Sequence, residues 1–235
     1  MGFVSETDPD LNVERVDVPF GDGTVTTYLA WPKEATNAPA IILLHENTGT
    51  RPHFEDVARR LAKEGFLAAA PDALSLVGGT PTSWDDATAL IKELDRPDTV
   101  NLFGAVAAHL RDHVASNGKV CAWGFCWGGG MANQMAVAGA NIDAAIVFYG
   151  GSPDDADVPK IKVPMMLNYA ENDERINAGV PGYEAALKAA GTDYELHMYK
   201  DAGHAFFNDD REDRYHAGAS QDAWGRVLAF LKKTI

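Results

Sequence analysis

Residues 120–130 read VCAWGFCWGGG, an apolar run that breaks into glycine around a cysteine. The apolar half predicts a short buried strand, and the glycines predict a tight corner that opens into a helix. At the centre stands Gly124-Phe125-Cys126-Trp127-Gly128, a Gly-x-nucleophile-x-Gly turn with cysteine as the candidate nucleophile. Small neighbours let strand and helix pack closely around a nucleophile held on a sharp corner. The corner also sets the thiol at a helix N-terminus, where backbone amides and the helix dipole favour a thiolate. A glycine-rich turn around an inert buried cysteine has the same local pattern, so the surrounding chain has to decide.

On the N-terminal side, residues 13–18 alternate apolar and polar as a half-buried strand does. The turn Phe20–Gly23 and the β-branched run 24–31 complete a hairpin. Residues 40–45 (AIILLH) form a continuous apolar strand of the kind covered on both faces. Helices are expected at 53–64, closed by Gly65, at 84–95 and at 98–115, with a strand at 66–70 stopped by Pro71-Asp72. On the C-terminal side a helix is expected over 127–139, strands over 143–149, 163–169 and 194–199, and helices over 181–190 and 216–233. Strands alternating with helices imply an α/β fold: a mostly parallel sheet with helices on both faces and the hairpin as an antiparallel edge. The 235 residues are expected to form one domain, with residues 1–12 as a loose tail.

Composition narrows the function classes. Net charge is −14, with 34 acidic residues against 20 basic ones, so there is no surplus of cations for nucleic acid or an anionic membrane. No signal peptide or membrane span is legible, and Cys121 and Cys126 suit a reducing cytoplasm rather than a disulfide framework. No histidine or cysteine cluster has metal-ligand spacing, so neither metal nor cofactor is expected. The expected partner is a small-molecule substrate; oligomeric state is not legible.

In sheets of this type chemistry collects at the carboxyl ends of the strands. Glu46 and Asn47 follow the strand at 40–45, Cys126 follows 120–124, Glu171-Asn172-Asp173 follow 163–169, and Gly203-His204 follow 194–199. Nucleophile, acid and histidine thus arrive at one edge in the order Cys, Asp, His. A thiol of ordinary pKa, about 8.5, needs a base, and a carboxylate behind the imidazole fixes its tautomer. The other histidines at 53, 109, 113, 197 and 216 read as structural or surface groups, and Cys121 as core.

Taken together, Glu46-Asn47, Gly-Phe-Cys126-Trp-Gly-Gly, Pro71-Asp72, Asp173 and Gly203-His204-x-Phe resemble the dienelactone hydrolase family of α/β hydrolases, over nearly the whole chain. The resemblance implies Cys126 as nucleophile, His204 as base, Asp173 as its orienting acid, the backbone N–H groups of Asn47 and Trp127 as oxyanion hole, and Glu46 as the group that engages the resting thiol. It implies a carboxylic ester or lactone hydrolase acting through a thioester. Two departures matter. The arginines that clamp the substrate carboxylate in dienelactone-cleaving members are missing: residues 73–78 read ALSLVG, and Asn208 stands four residues after His204. Neutral or apolar substrates are therefore expected, unless Arg51 or Arg211 supplies the charge. Open beside this reading are a thioesterase or peptidase on the same triad, and a non-catalytic binding or thiol redox-sensing protein.

Overall fold

The computed structural model describes residues 2–235. Its elements are β1 (Leu11–Phe20), β2 (Gly23–Pro32), β3 (Ala38–Leu44), α1 (Pro52–Lys63), β4 (Leu67–Pro71), α2 (Trp84–Glu93), α3 (Arg96–Asp112), β5 (Ser116–Phe125), α4 (Trp127–Ala138), β6 (Ala144–Phe148), β7 (Met165–Asn172), α5 (Glu174–Asn177), α6 (Val180–Ala190), β8 (Tyr194–Gly203) and α7 (Ala217–Thr234). The sheet is mixed and mostly parallel, in the order β1-β2-β4-β3-β5-β6-β7-β8. By internal contacts the chain divides into two compact units, the first ending at Val120 and the second comprising Cys121–Ile235.

In the first unit β1 and β2 form the expected hairpin, with Phe20 opposite Gly23 across a two-residue turn in which Gly21 takes a φ of 56°. β2 continues antiparallel onto β4, and β4 runs parallel to β3. Every residue of β4 is buried, with α1 packed on β2 and β4 and with α3 packed on β3 and β4. α1 begins with Pro52 at its first turn and buries Phe54, Val57, Ala58 and Leu61, the stripe legible in the sequence. The segment expected as a loose tail is tied down from Val4 onward. The Val4 N–H donates to Asp56 Oδ1 (2.8 Å), and Arg59 Nε donates to the Val4 carbonyl (2.6 Å). Leu11 and Asn12 are already rungs of β1. The cause is on α1, where Asp56, Arg59 and Arg60 are buried together and need polar partners that the tail backbone supplies. Residue 1 lies outside the described residues.

In the second unit β5, β6, β7 and β8 pair in parallel, and β6 is wholly buried with α4 against it. α7 packs on β7 and β8. Trp123, Phe125, Phe148, Phe206 and Phe207 form one aromatic cluster, with Trp123–Phe125 and Trp123–Phe148 centroids 5.1 and 5.2 Å apart. Each such ring, fully buried, contributes about 1.5–3 kcal/mol, and the cluster lies directly under the corner after β5. β7 and β8 both run past their expected ends, to Asn172 and Gly203, which pair with each other after a register shift beyond Ala170. That extension carries the two loops of interest to neighbouring positions.

Candidate active site

The corner after β5 has the geometry its glycines require. Cys126 sits at φ 56° and ψ −113°, between the end of β5 and the first residue of α4. A side-chain-bearing residue at positive φ is strained by about 1–3 kcal/mol, and two hydrogen bonds hold it there. The Cys126 N–H donates to the Phe148 carbonyl (3.0 Å), and the Cys126 carbonyl accepts from the Gly130 N–H (3.2 Å). A Cβ on Gly124 would fall 1.9 Å from the Gly128 carbonyl oxygen, and one on Gly129 would fall 2.8 Å from the Phe148 carbonyl oxygen. Both positions need glycine because backbone passes through the space a side chain would occupy.

Asp173 is the first residue after β7 and caps the short helix α5; His204 is the first after β8. His204 Nδ1 lies 2.5 Å from Asp173 Oδ2, and His204 Nε2 lies 3.0 Å from Cys126 Sγ. The buried carboxylate accepts, so Nδ1 carries the proton and the Nε2 lone pair faces the thiol. His204 stands between two residues at positive φ, Ala205 at 66° and Asp201 at 59° two positions before Gly203, and the Asp201 N–H is held by Glu171 Oε2 (2.9 Å). Glu171, a neighbour of the acid in sequence, thus supports the loop of the base. The ring of Tyr149 packs on the imidazole, with centroids 5.2 Å apart. Tyr149 follows β6 at φ 40° and donates its N–H to the Asn168 carbonyl (2.8 Å). It was missed in the sequence although the same strand-end rule points to it. A cleft of about 460 Å³ opens beside His204, lined by Asn172, Asp201, Asp213, Arg214, Tyr215 and His216.

In the first unit, His45, Glu46 and Asn47 follow β3, with His45 and Glu46 buried. His45 accepts from the Ala73 N–H at Nε2 (3.2 Å), so its Nδ1 carries the proton and donates to the Glu46 carbonyl (2.7 Å). Burial pushes the His45 pKa down, which keeps this neutral tautomer. The loop is clipped to the one after β4. Thr80 Oγ1 accepts from the Thr50 N–H (3.1 Å) and donates to Asp72 Oδ1 (2.8 Å), while Asp72 Oδ2 accepts from the Thr80 N–H (2.7 Å). The Pro71-Asp72 pair seen in the sequence therefore fixes the position of the Glu46–Arg51 segment.

Residues 25–235 match the family model described as the dienelactone hydrolase family. The chain belongs to the dienelactone hydrolase family. Among its relatives is a protein of Saccharolobus solfataricus described as a candidate carboxymethylenebutenolidase, 33% identical, with the alignment covering 89% of this chain and 94% of that one. One of the same description from Escherichia coli K12 is 34% identical, covering 98% and 90%. Among solved structures, a candidate dienelactone hydrolase from Klebsiella pneumoniae superposes with a TM-score of 0.86 at 27% identity, covering 93% of this chain and 97% of that one. The dienelactone hydrolase of Anabaena variabilis, at a TM-score of 0.75 and 19% identity over 96% and 99%, shares the fold. The protein is a carboxylic ester hydrolase of this family on an α/β-hydrolase fold.

Within the family the departures stand out. The segment after Pro71-Asp72 carries no arginine and leaves Leu76 and Val77 about half exposed. Asn208 is buried, with its side-chain oxygen accepting from the Asp210 N–H (3.1 Å). Arg211 spends its Nε and Nη2 on the Asp213 carboxylate (3.1 and 3.2 Å). Among the described residues no group of three or more His, Cys, Asp or Glu side chains is arranged to hold a metal ion, and no helix is long and apolar enough to cross a membrane.

Proposed function

We propose that the protein hydrolyses carboxylic esters or lactones through Cys126, with His204 as general base and Asp173 as the acid that orients it. One observation carries this reading: the Asp173–His204–Cys126 line, at 2.5 and 3.0 Å, ends on a thiol held at a strained corner. His204 Nε2 takes the thiol proton, and Sγ attacks the carbonyl carbon to give a tetrahedral oxyanion. The N–H of Trp127, the residue after the nucleophile, is an oxyanion donor. The oxyanion collapses, the C–O bond breaks, and the imidazolium returns its proton to the leaving alkoxide. Water, deprotonated by the same imidazole, then cleaves the thioester and frees the thiol and the acid.

The substrate reading favours neutral or apolar esters. The segment that carries a carboxylate-binding arginine in dienelactone-cleaving members presents exposed Leu76 and Val77 here, and Arg211 is bound to Asp213. The redox-sensing alternative lacks a resolving thiol, because Cys121 is fully buried and burial pushes its thiol pKa up.

The test is turnover of short- and medium-chain p-nitrophenyl esters before and after iodoacetamide, with the labelled residue located by mass spectrometry. Activity is expected to vanish in proportion to Cys126 labelling, and Cys126→Ala is expected to lose all turnover. Unchanged hydrolysis in Cys126→Ala sinks the proposal.

A further inference from the structure

The acylation step sets the side on which the alcohol leaves. His204 Nε2, 3.0 Å from Cys126 Sγ, returns its proton to the ester oxygen, so that oxygen has to come within hydrogen-bond reach of the imidazole. The alcohol it carries therefore lies against His204. The cleft of about 460 Å³ is open beside that same residue, and its other walls are Asn172, Asp201, Gly203, Asp213, Arg214, Tyr215 and His216. A volume of this order is usual for a small-molecule site. Its wall is not. Sites for apolar ligands are lined mostly by hydrophobic side chains, whereas no aliphatic side chain lines this one.

The wall mixes donors with acceptors. Asp213 is already engaged, since its carboxylate accepts Nε and Nη2 of Arg211 and lies 3.4 Å from Arg214 Nε. The side chains of Asn172, Asp201 and Tyr215 make no hydrogen bond to any described residue, although the Asp201 backbone N–H is held by Glu171. His216 Nδ1 accepts the Ala219 N–H (3.1 Å), so Nε2 carries the proton and is a donor. Asp201 thus offers only acceptors and His216 Nε2 only a donor, while the Asn172 amide and the Tyr215 hydroxyl offer both. An anion has no proton to give and would face the Asp201 carboxylate. An ammonium has no lone pair and would leave the N–H groups of Asn172 and His216 unanswered. A hydroxyl both gives and accepts, so a group with several hydroxyls matches the whole wall. We infer that the cleft receives the alcohol part of the ester and that this alcohol is a neutral polyol, with hydroxyls beyond the esterified one. The inference names a substrate class for the Cys126 reading and rests on it.

The experiment compares kcat/KM of the full chain for three butyrates with one acyl group in common: glycerol 1-butyrate, propyl butyrate and butyrylcholine. The first two share a three-carbon alcohol and differ by two hydroxyls, and p-nitrophenyl butyrate is the control for the thiol chemistry. Glycerol 1-butyrate should exceed propyl butyrate by about five- to a hundredfold, the worth of two hydrogen bonds. Tyr215→Phe and Asn172→Ala should each narrow that ratio by about two- to tenfold. The ratio is read within one preparation, so a loss of folded protein cancels, and both changes remove polar atoms from residues outside the core. Equal turnover of the two esters by the wild-type chain, or a ratio that neither variant moves, overturns the inference. Butyrylcholine as the preferred ester overturns the polyol in favour of a cation. Cleavage of p-nitrophenyl butyrate with none of the three alkyl esters cleaved sinks the polyol class alone; no cleavage of any of the four sinks the Cys126 reading and this inference with it.

Discussion

Two cysteines five positions apart in the sequence occupy opposite chemical environments. Cys121 is sealed in β5, where burial pushes its thiol pKa up, whereas Cys126 is partly exposed at a helix N-terminus beside His204. Iodoacetamide should therefore alkylate Cys126 in the native protein and reach Cys121 only after denaturation, as peptide mass mapping would show; native labelling of Cys121 would contradict the burial. If Glu46 engages the resting thiol, Glu46→Gln should change the Cys126 alkylation rate and leave Cys121 protected. The nucleophile, the base and the acid were legible as residues because each ends a strand in chain order. The strain at Cys126 follows from the same sharp corner, whereas the packing of Tyr149 on His204 was not legible, since a contact between two loops leaves no local trace in the sequence. His45 was also hidden: it reads as the end of an apolar strand, and only the structure shows its ring bridging Ala73 and Glu46.

At the scale of elements, the apolar runs announced the buried strands, and their boundaries moved where side-chain caps or backbone pairing took over. The helices expected at 84–95 and 98–115 are Trp84–Glu93 and Arg96–Asp112, opened by Ser83 and Asp95, whose side chains accept from the Asp86 and Asp98 N–H groups. β5 begins at Ser116, four residues before its apolar stretch, because ladder pairing does not require apolar side chains. The fit of α4 against β5 is testable through two glycines. Gly124→Ala drives a methyl into the Gly128 carbonyl, backbone that cannot swing aside, and should cost about 3 kcal/mol or more. That is about 6–12 °C in Tm for a chain of this size. Gly130→Ala meets nothing closer than 3.8 Å and lies inside a helix, so it should be neutral or stabilise by up to about 1 kcal/mol. Thermal melts of the pair check this, and equal melting temperatures would mean that the corner is looser than it looks.

For the whole molecule the informative variable is pH, because two effects of opposite sign compete. The chain carries a net charge of −14, so acidification towards pH 5.5 lowers self-repulsion and by itself favours the folded state. Two histidines oppose this. Burial depresses the pKa of His45 and of His113, and in each a ring nitrogen accepts a backbone N–H, from Ala73 and Ala115 respectively, which protonation would forbid. A depressed histidine pKa means that the unfolded chain takes up a proton near its ordinary value of about 6.5 while the folded chain does not. Stability is therefore complete above that pH and falls as pH drops through it, by up to about 1.4 kcal/mol per pH unit for the buried His45 and by less for His113, whose ring is partly exposed and screened by water. Local proton uptake outweighs screened surface repulsion, whose charges face water. Tm should accordingly drop between pH 7.5 and 5.5, before the paired carboxylates begin to titrate. His45→Gln and His113→Gln should each flatten that slope, whatever they do to the absolute Tm. A wild-type Tm that rises on acidification would show that overall charge, rather than these two histidines, governs the stability of the molecule.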